Sequence, residues 1–218
     1  MQEYILKTKR SKFFHCLLVT LKFLAKLFFK IFFRLEVKGY EKIPAKGRLI
    51  LCCNHISYAD PVIISACFPR IIFFMAKVEI FKYRPIKAFF KYFNAFPVNR
   101  NKYDRIALRN ALLVLENDGV LGIFPEGTRS AEGIIREGQK GVGLISLLGK
   151  SQILPAAISG TNKIVQKPHK RFYFPKIKLI FGDLIDLNTK DINNRNEAIN
   201  YITEKTMDSI KSLYNKIK

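Results

Sequence analysis

The sequence predicts an α/β fold: a single domain, a mostly mixed sheet flanked by helices, preceded by an amphipathic helical segment at a membrane interface. Three observations predict it. Compact apolar runs at 48–53, 71–75 and 120–124 read as buried strands. Segments with helical spacing of apolar residues alternate with them, the pattern of a sheet covered by helices. The 218 residues, 49% hydrophobic and 13% aromatic, are enough for one substantial core and exclude a disordered chain.

Residues 1–35 form a first, anchoring unit and 36–218 the α/β domain. From Phe13 to Leu35 the chain is mostly apolar and aromatic, yet its longest uncharged run covers only 13–21. A spanning helix needs roughly 20 such residues. Lys22, Lys26, Lys30 and Arg34 recur every four residues and form one slowly drifting stripe. That geometry suits a helix lying in the interface, rings among acyl chains and cations near anionic headgroups. The cluster Lys7, Lys9, Arg10 and Lys12 adds to the attraction. A core-facing helix with a solvated cationic edge, or a span with its charges against protein, are the competing readings.

The remaining elements follow in order. The run 48–53 is a strand feeding a loop, and Asp60-Pro61 opens a helix through about Phe68, Pro sitting where a missing N–H costs nothing. A strand over 71–75 leads into Ala76-Lys77; 89–98 reads as an aromatic helix end and a short strand. Helices are predicted over 105–118 and 138–148, the latter weakened by Gly141 and Gly143. Strands follow at 153–158 and 176–181, and a helix from about Asn194, where Ile199, Ile202, Met207, Ile210, Leu213 and Ile217 keep helical spacing. The aromatic and basic stretch 167–178 is the one distinct surface element.

The formal net charge of +21 favours anionic partners, either acidic lipid, phosphorylated substrate or nucleic acid. No nucleic-acid module is present, and the cations interleave with lipid-like apolar surface, so no nucleic-acid partner is expected. Cys16, Cys52, Cys53 and Cys67 lack metal-ligand spacing and read as free thiols of a reducing compartment.

Chemistry concentrates in two places. His55 can accept a proton near neutral pH, and Asp60, five residues on across a turn, can orient the ring and stabilise imidazolium. No Gly-x-Ser-x-Gly elbow supplies an enzyme nucleophile, so the pair suits activation of a substrate hydroxyl. The plainer alternative makes Asp60 a cap of its own helix beside an unrelated histidine. The second place is Glu126-Gly127-Thr128-Arg129-Ser130, after a buried strand where open α/β sheets gather ligands. Gly127 admits close backbone approach, and Arg129 can grip a phosphate in bidentate fashion. Arg100 is a second candidate guanidinium and Lys77 a third, point-like cation.

These residues occur as blocks in a fixed order: 54–60 (Asn-His-x-Ser-x-x-Asp), 93–100 ending in arginine, 124–130 (Phe-Pro-Glu-Gly-Thr-Arg-Ser), and 153–157 continuing into Ser159-Gly160-Thr161. With Met75-Ala76-Lys77 between the first two, the chain over roughly 36–185 resembles the glycerolipid acyltransferases typified by 1-acylglycerol-3-phosphate (lysophosphatidic acid) acyltransferase. The resemblance implies acyl transfer from an acyl thioester, on acyl carrier protein or coenzyme A, to a lysophospholipid hydroxyl. It implies His55 as base and Asp60 as its partner. Arg100 and Arg129 would hold the acceptor phosphate, in a site shaped by Glu126, Gly127 and the adjoining Thr128. Lys77 or a nearby N–H would stabilise the oxyanion. Neither a metal nor a bound cofactor is implied. Asn94-Ala95 stands where a glycine is common, which implies a different loop there, and Gly182-Asp183-Leu184 lacks a frequent proline; neither departure touches a proposed catalytic group. The product expected is phosphatidic acid, made at the cytoplasmic face of the cell membrane by a peripheral enzyme. A different lysolipid acceptor, or an inactive membrane-binding relative, are the alternatives.

Overall fold

The computed structural model describes residues 12–82, 94–99, 104–130, 132–166, 171–187, 192 and 194–218, with side chains from 16 onward and Ile80 excepted. Nine strands are described: β1 (Glu36–Lys38), β2 (Leu49–Cys53), β3 (Ile72–Lys77), β4 (Phe96–Val98), β5 (Val120–Ile123), β6 (Gln152–Ser159), β7 (Val165–Gln166), β8 (Arg171–Phe172) and β9 (Lys178–Phe181). The described helices are α1 (Lys12–Phe32), α2 (Asp60–Cys67), α3 (Arg105–Glu116), α4 (Gly141–Gly149) and α5 (Arg195–Asn215).

A seven-stranded sheet runs β1-β9-β6-β2-β5-β3-β4, and β7 pairs β8 in a separate hairpin. Strands β2 to β6 are mutually parallel, while β9 is antiparallel to β6 and β1 parallel to β9. The mixed sheet expected from sequence is therefore present, with its antiparallel part at one edge. The carboxyl ends of five parallel strands meet along one border, where a ligand site can form.

Strand β2 is buried on both faces, and its period-2 alternation divides the core. Leu49, Leu51 and Cys53 join Ile63, Ile64, Phe68 and Phe33 on one side. Ile50 and Cys52 join Ala111, Leu115, Ile145, Ile202 and Ile210 on the other. Helices α1 and α2 thus cover one face and α3, α4 and α5 the other.

Local chemistry explains the boundaries. Asp104 caps α3 by accepting from the N–H groups of Ile106 and Ala107, and Asn194 caps α5 by accepting from Asn196 N–H. Helix α4 begins at Gly141, three residues later than its composition suggested. Gly143 is a packing requirement there: a Cβ would lie 2.2 Å from the Ile199 carbonyl oxygen of α5. Pro155 sits inside β6 without breaking it. Its carbonyl, and so its nitrogen, faces β9, where the ladder starts only at Ala156. Asn94 takes φ 54°, a backbone form that glycine favours and asparagine tolerates, so the exchange at that block is compatible with a glycine-type loop.

Helix α1 confirms the helical reading of the segment but revises the use of its cations. Lys22 turns inward, donating to the carbonyls of Phe68 and Arg70 at 2.8 and 3.0 Å beyond the end of α2. Burial lowers its ammonium pKa. Lys26 lies over the Tyr40 ring, and Arg34 donates to the Phe174 carbonyl. Lys22 is thus a docking residue rather than a headgroup ligand; Lys26 and Lys30 remain exposed. The opposite arc, with Leu17, Phe23, Leu24, Leu27, Phe28, Ile31 and Phe32, is uncovered. Among the described residues no helix is long and apolar enough to cross a membrane. Lys7, Lys9 and Arg10 lie outside the described residues.

Candidate active site

The loop leaving β2 is pinned at its first residue. Asn54, fully buried, donates its side-chain N–H to the Ile158 carbonyl and accepts the Ile158 N–H, at 3.0 and 2.8 Å, bridging β2 to the end of β6. Five residues of chain then double back, so that Asp60 opens α2 with its carboxylate turned toward the loop. Its Oδ2 accepts from the N–H groups of Ile56 and Ser57 and lies 2.8 Å from His55 Nδ1. Its Oδ1 accepts the Thr161 hydroxyl at 2.6 Å. The carboxylate makes no capping bond to α2 itself, so the plainer reading of Asp60 as a cap of its own helix does not describe the geometry. With two backbone N–H groups already donating to it, Oδ2 suits the acceptor role toward Nδ1–H, a contact that leaves Nε2 for a second partner.

The imidazole is fixed on its flat side as well. Phe124, which ends the β5 run, stacks on His55 with ring centroids 4.1 Å apart and planes 17° from parallel. Phe74 stacks behind Phe124 at 5.7 Å. Glu126 ties the two blocks through backbone. Its Oε1 accepts the His55 N–H at 2.9 Å and its Oε2 the Arg136 N–H at 3.0 Å. Burial raises the Glu126 pKa, and the two N–H donors partly offset that rise. Ser130 N–H donates to the His55 carbonyl at 2.8 Å and closes the junction.

Gly127 supplies a φ of 69° at the turn, and its N–H donates to the Phe124 carbonyl at 3.0 Å. The glycine therefore shapes the turn, and its own N–H is used within it. Arg129 is exposed, its guanidinium 3.4 Å above the Tyr58 ring of the His55 loop. That stack holds a cation beside the His55 loop. Thr128 is exposed next to it and joins Gly127, Pro125, Met75 and Val142 in lining a cleft of about 390 Å³. Glu126 and Gln139 are polar members of its lining, and Met75, Val98, Ile123, Val142 and Ile145 are apolar ones.

Two expectations fare differently. Lys77 ends β3 half exposed, with its ammonium 3.1 Å from Glu79 Oε1, and this ion pair competes with an oxyanion role. Arg100 lies outside the described residues. Cys53, next to the site, is fully buried; burial first, then the Asp60 and Glu126 charges, push its thiol pKa well up, which disqualifies it as a nucleophile. Sequence reasoning missed four supports: Thr161, Phe124, Tyr58 and Asn54. Each lay inside or beside a recognised block, but contacts spanning about 100 residues, such as Thr161 to Asp60, leave no trace in local spacing.

Comparison with known proteins identifies the family. The family model described as Acyltransferase matches residues 34–159. A 1-acyl-sn-glycerol-3-phosphate acyltransferase of Bacillus subtilis is 30% identical over 84% of this chain and 89% of its own. That of Borreliella burgdorferi is also 30% identical, over 62% of this chain and 54% of its own. The crystal structure of the 1-acyl-sn-glycerophosphate (LPA) acyltransferase PlsC from Thermotoga maritima superposes with a TM-score of 0.69 at 26% identity, covering 90% of this chain and 79% of that one. The family match spans the stretch that holds the His55–Asp60 contact, and with the relatives it leads to one conclusion: this chain is an enzyme of the acyltransferase family.

Proposed function

We propose that the protein transfers a fatty acyl group from an acyl thioester to the sn-2 hydroxyl of 1-acylglycerol-3-phosphate, giving phosphatidic acid. The observation that carries this is the His55 Nδ1–Asp60 Oδ2 contact at 2.8 Å, made by a carboxylate with three further donors. His55 Nε2 takes the proton of the acceptor hydroxyl as its oxygen attacks the thioester carbonyl. The resulting imidazolium is stabilised by Asp60. Collapse of the tetrahedral intermediate breaks the C–S bond, and the departing sulfur takes the proton back from His55.

Arg129 binds the acceptor phosphate, with Arg100 as a second guanidinium; Glu126, Gly127 and Thr128 give the phosphate side of the site its shape. The apolar side chains that line the neighbouring cleft, among them Met75, Val142 and Ile145, suit an acyl chain. The thioester is already activated, so the chemistry calls for no cofactor and no metal. The donor is carried on acyl carrier protein or coenzyme A, both anionic and both suited to a chain of net charge +21. The exposed apolar arc of α1, flanked by Lys26 and Lys30, supports peripheral attachment to anionic lipid at the cytoplasmic face of the cell membrane.

The test is release of free thiol by purified protein given lysophosphatidic acid and an acyl thioester in anionic vesicles, with lysophosphatidylethanolamine and a lyso-ornithine lipid as competing acceptors. Turnover restricted to the phosphomonoester acceptor is expected. Preference for either competitor reassigns the substrate, and absence of turnover with every pair removes the enzymatic reading.

A further inference from the structure

Helix α1 does not carry its uncovered apolar surface alone. At the end of β8 and just beyond it the chain exposes three consecutive aromatic residues, Phe172 at 60%, Tyr173 at 41% and Phe174 at 49%. They are held against α1. Phe174 lies 5.8 Å from Phe32 and 5.2 Å from Phe33, and Phe172 lies 6.3 Å from Phe33, between ring centroids. Arg34 locks the junction by donating to the Phe174 carbonyl at 3.0 Å. From Phe174 the aromatic surface continues through Phe32 to Phe28, 4.9 Å farther along the helix.

This surface has the chemistry of a bilayer contact. A contiguous exposed apolar patch on a domain marks an interaction site. Exposed cations adjoin it in the chain: Arg34 on the Phe174 carbonyl, Arg171 next to Phe172, Lys30 on α1, and Lys176, which pairs with Glu36 at 2.6 Å. Aromatic rings beside Lys and Arg suit the boundary of an anionic membrane, where rings reach the acyl region and cations meet headgroups. A net charge of +21 points the same way.

The hairpin is also wired to the catalytic carboxylate. Thr161, whose hydroxyl donates to Asp60, lies four residues before β7. Ile164, between them, accepts the Tyr173 N–H at 2.8 Å. The aromatic segment is thereby held at a set position relative to His55.

We propose that Phe172, Tyr173 and Phe174 form a second lipid-contacting element, which enters the same leaflet of an anionic bilayer as the apolar arc of α1. It seats the site at a defined height, so that an acceptor reaches His55 sideways from the leaflet; that last clause rests on the lipid acyl-transfer reading, while the contact itself does not.

The chain contains no tryptophan, so Phe172→Trp and Phe174→Trp each install a single indole reporter. With vesicles of phosphatidylglycerol and phosphatidylcholine, both variants should show a blue-shifted emission, quenched by brominated acyl chains. The double variant Phe172→Ser/Phe174→Ser should bind those vesicles at least ~10-fold more weakly in flotation, with unchanged far-UV circular dichroism. Unshifted and unquenched indoles on vesicle-bound protein overturn the proposal. So does a double variant that keeps vesicle affinity but turns a lipid-free dimer into monomer, since a second copy then covers the patch. If the double variant does not fold, the two indole variants, which preserve aromatic bulk, decide. Inserted indoles in a protein that releases no thiol from any substrate pair uphold the contact and end the enzymatic reading.

Discussion

Asp60 is a buried carboxylate that receives four donors, and its effect on His55 depends on all of them. Asp60→Asn places an amide where only acceptors fit, so the ring loses its tautomer control. We expect this variant and His55→Ala each to lower kcat by at least ~10²-fold in the thiol-release assay; unchanged turnover in either would remove the dyad. Thr161→Val strips one donor from Asp60 without touching the ring. It should lower kcat about tenfold with little change in KM, and displace the acid limb of the pH–rate profile; Thr161→Ser should restore both. Glu126 behaves oppositely to a paired surface acid. Its folded pKa is raised by burial, so its contribution to stability is full below the ordinary Glu range and is lost as pH rises through the raised value. Relative to Glu126→Gln, the wild type should therefore lose Tm as pH climbs upward from the ordinary Glu range, measured by thermal melts. A difference growing with pH would contradict burial as the dominant cause.

At the scale of elements, α4 and α1 are the informative cases. Gly143 brings α4 against α5 so closely that a methyl group meets the Ile199 carbonyl. Gly143→Ala should cost about 1–3 kcal/mol in denaturant unfolding despite alanine's better helix propensity. A stabilised variant would show that the helices can separate freely. Lys22 couples α1 to the end of α2 through two carbonyls. Lys22→Met should lower Tm while leaving the salt dependence of vesicle binding unchanged, whereas Lys30→Gln should weaken binding to anionic vesicles alone. Equal effects of both on vesicles would return Lys22 to the lipid face.

For the whole molecule, the proposed lipid contact brings charge and apolar surface to one boundary. Raising salt from about 0.05 to about 0.5 M shortens the screening length severalfold and should weaken binding to anionic vesicles by ~10-fold or more, with little effect on neutral ones. What could be read in the chain alone were the features set by local pattern. Apolar runs mark β2, β3 and β5, helical spacing marks α3 and α5, and two compact blocks single out His55, Asp60 and Arg129 as candidates. Periodicity and short-range turn chemistry need only neighbours, so sequence carries them. The three-residue β1 and the β7–β8 hairpin were not foreseen, because strands that short have no period to detect and exist through pairing. Likewise the inward turn of Lys22, the stack of Phe124 on His55 and the Thr161 bond to Asp60 join residues far apart in the chain. Such contacts are made by the packing of β2, β5 and β6 side by side, and that packing, a property of the folded core as a whole, is what only the tertiary structure decided.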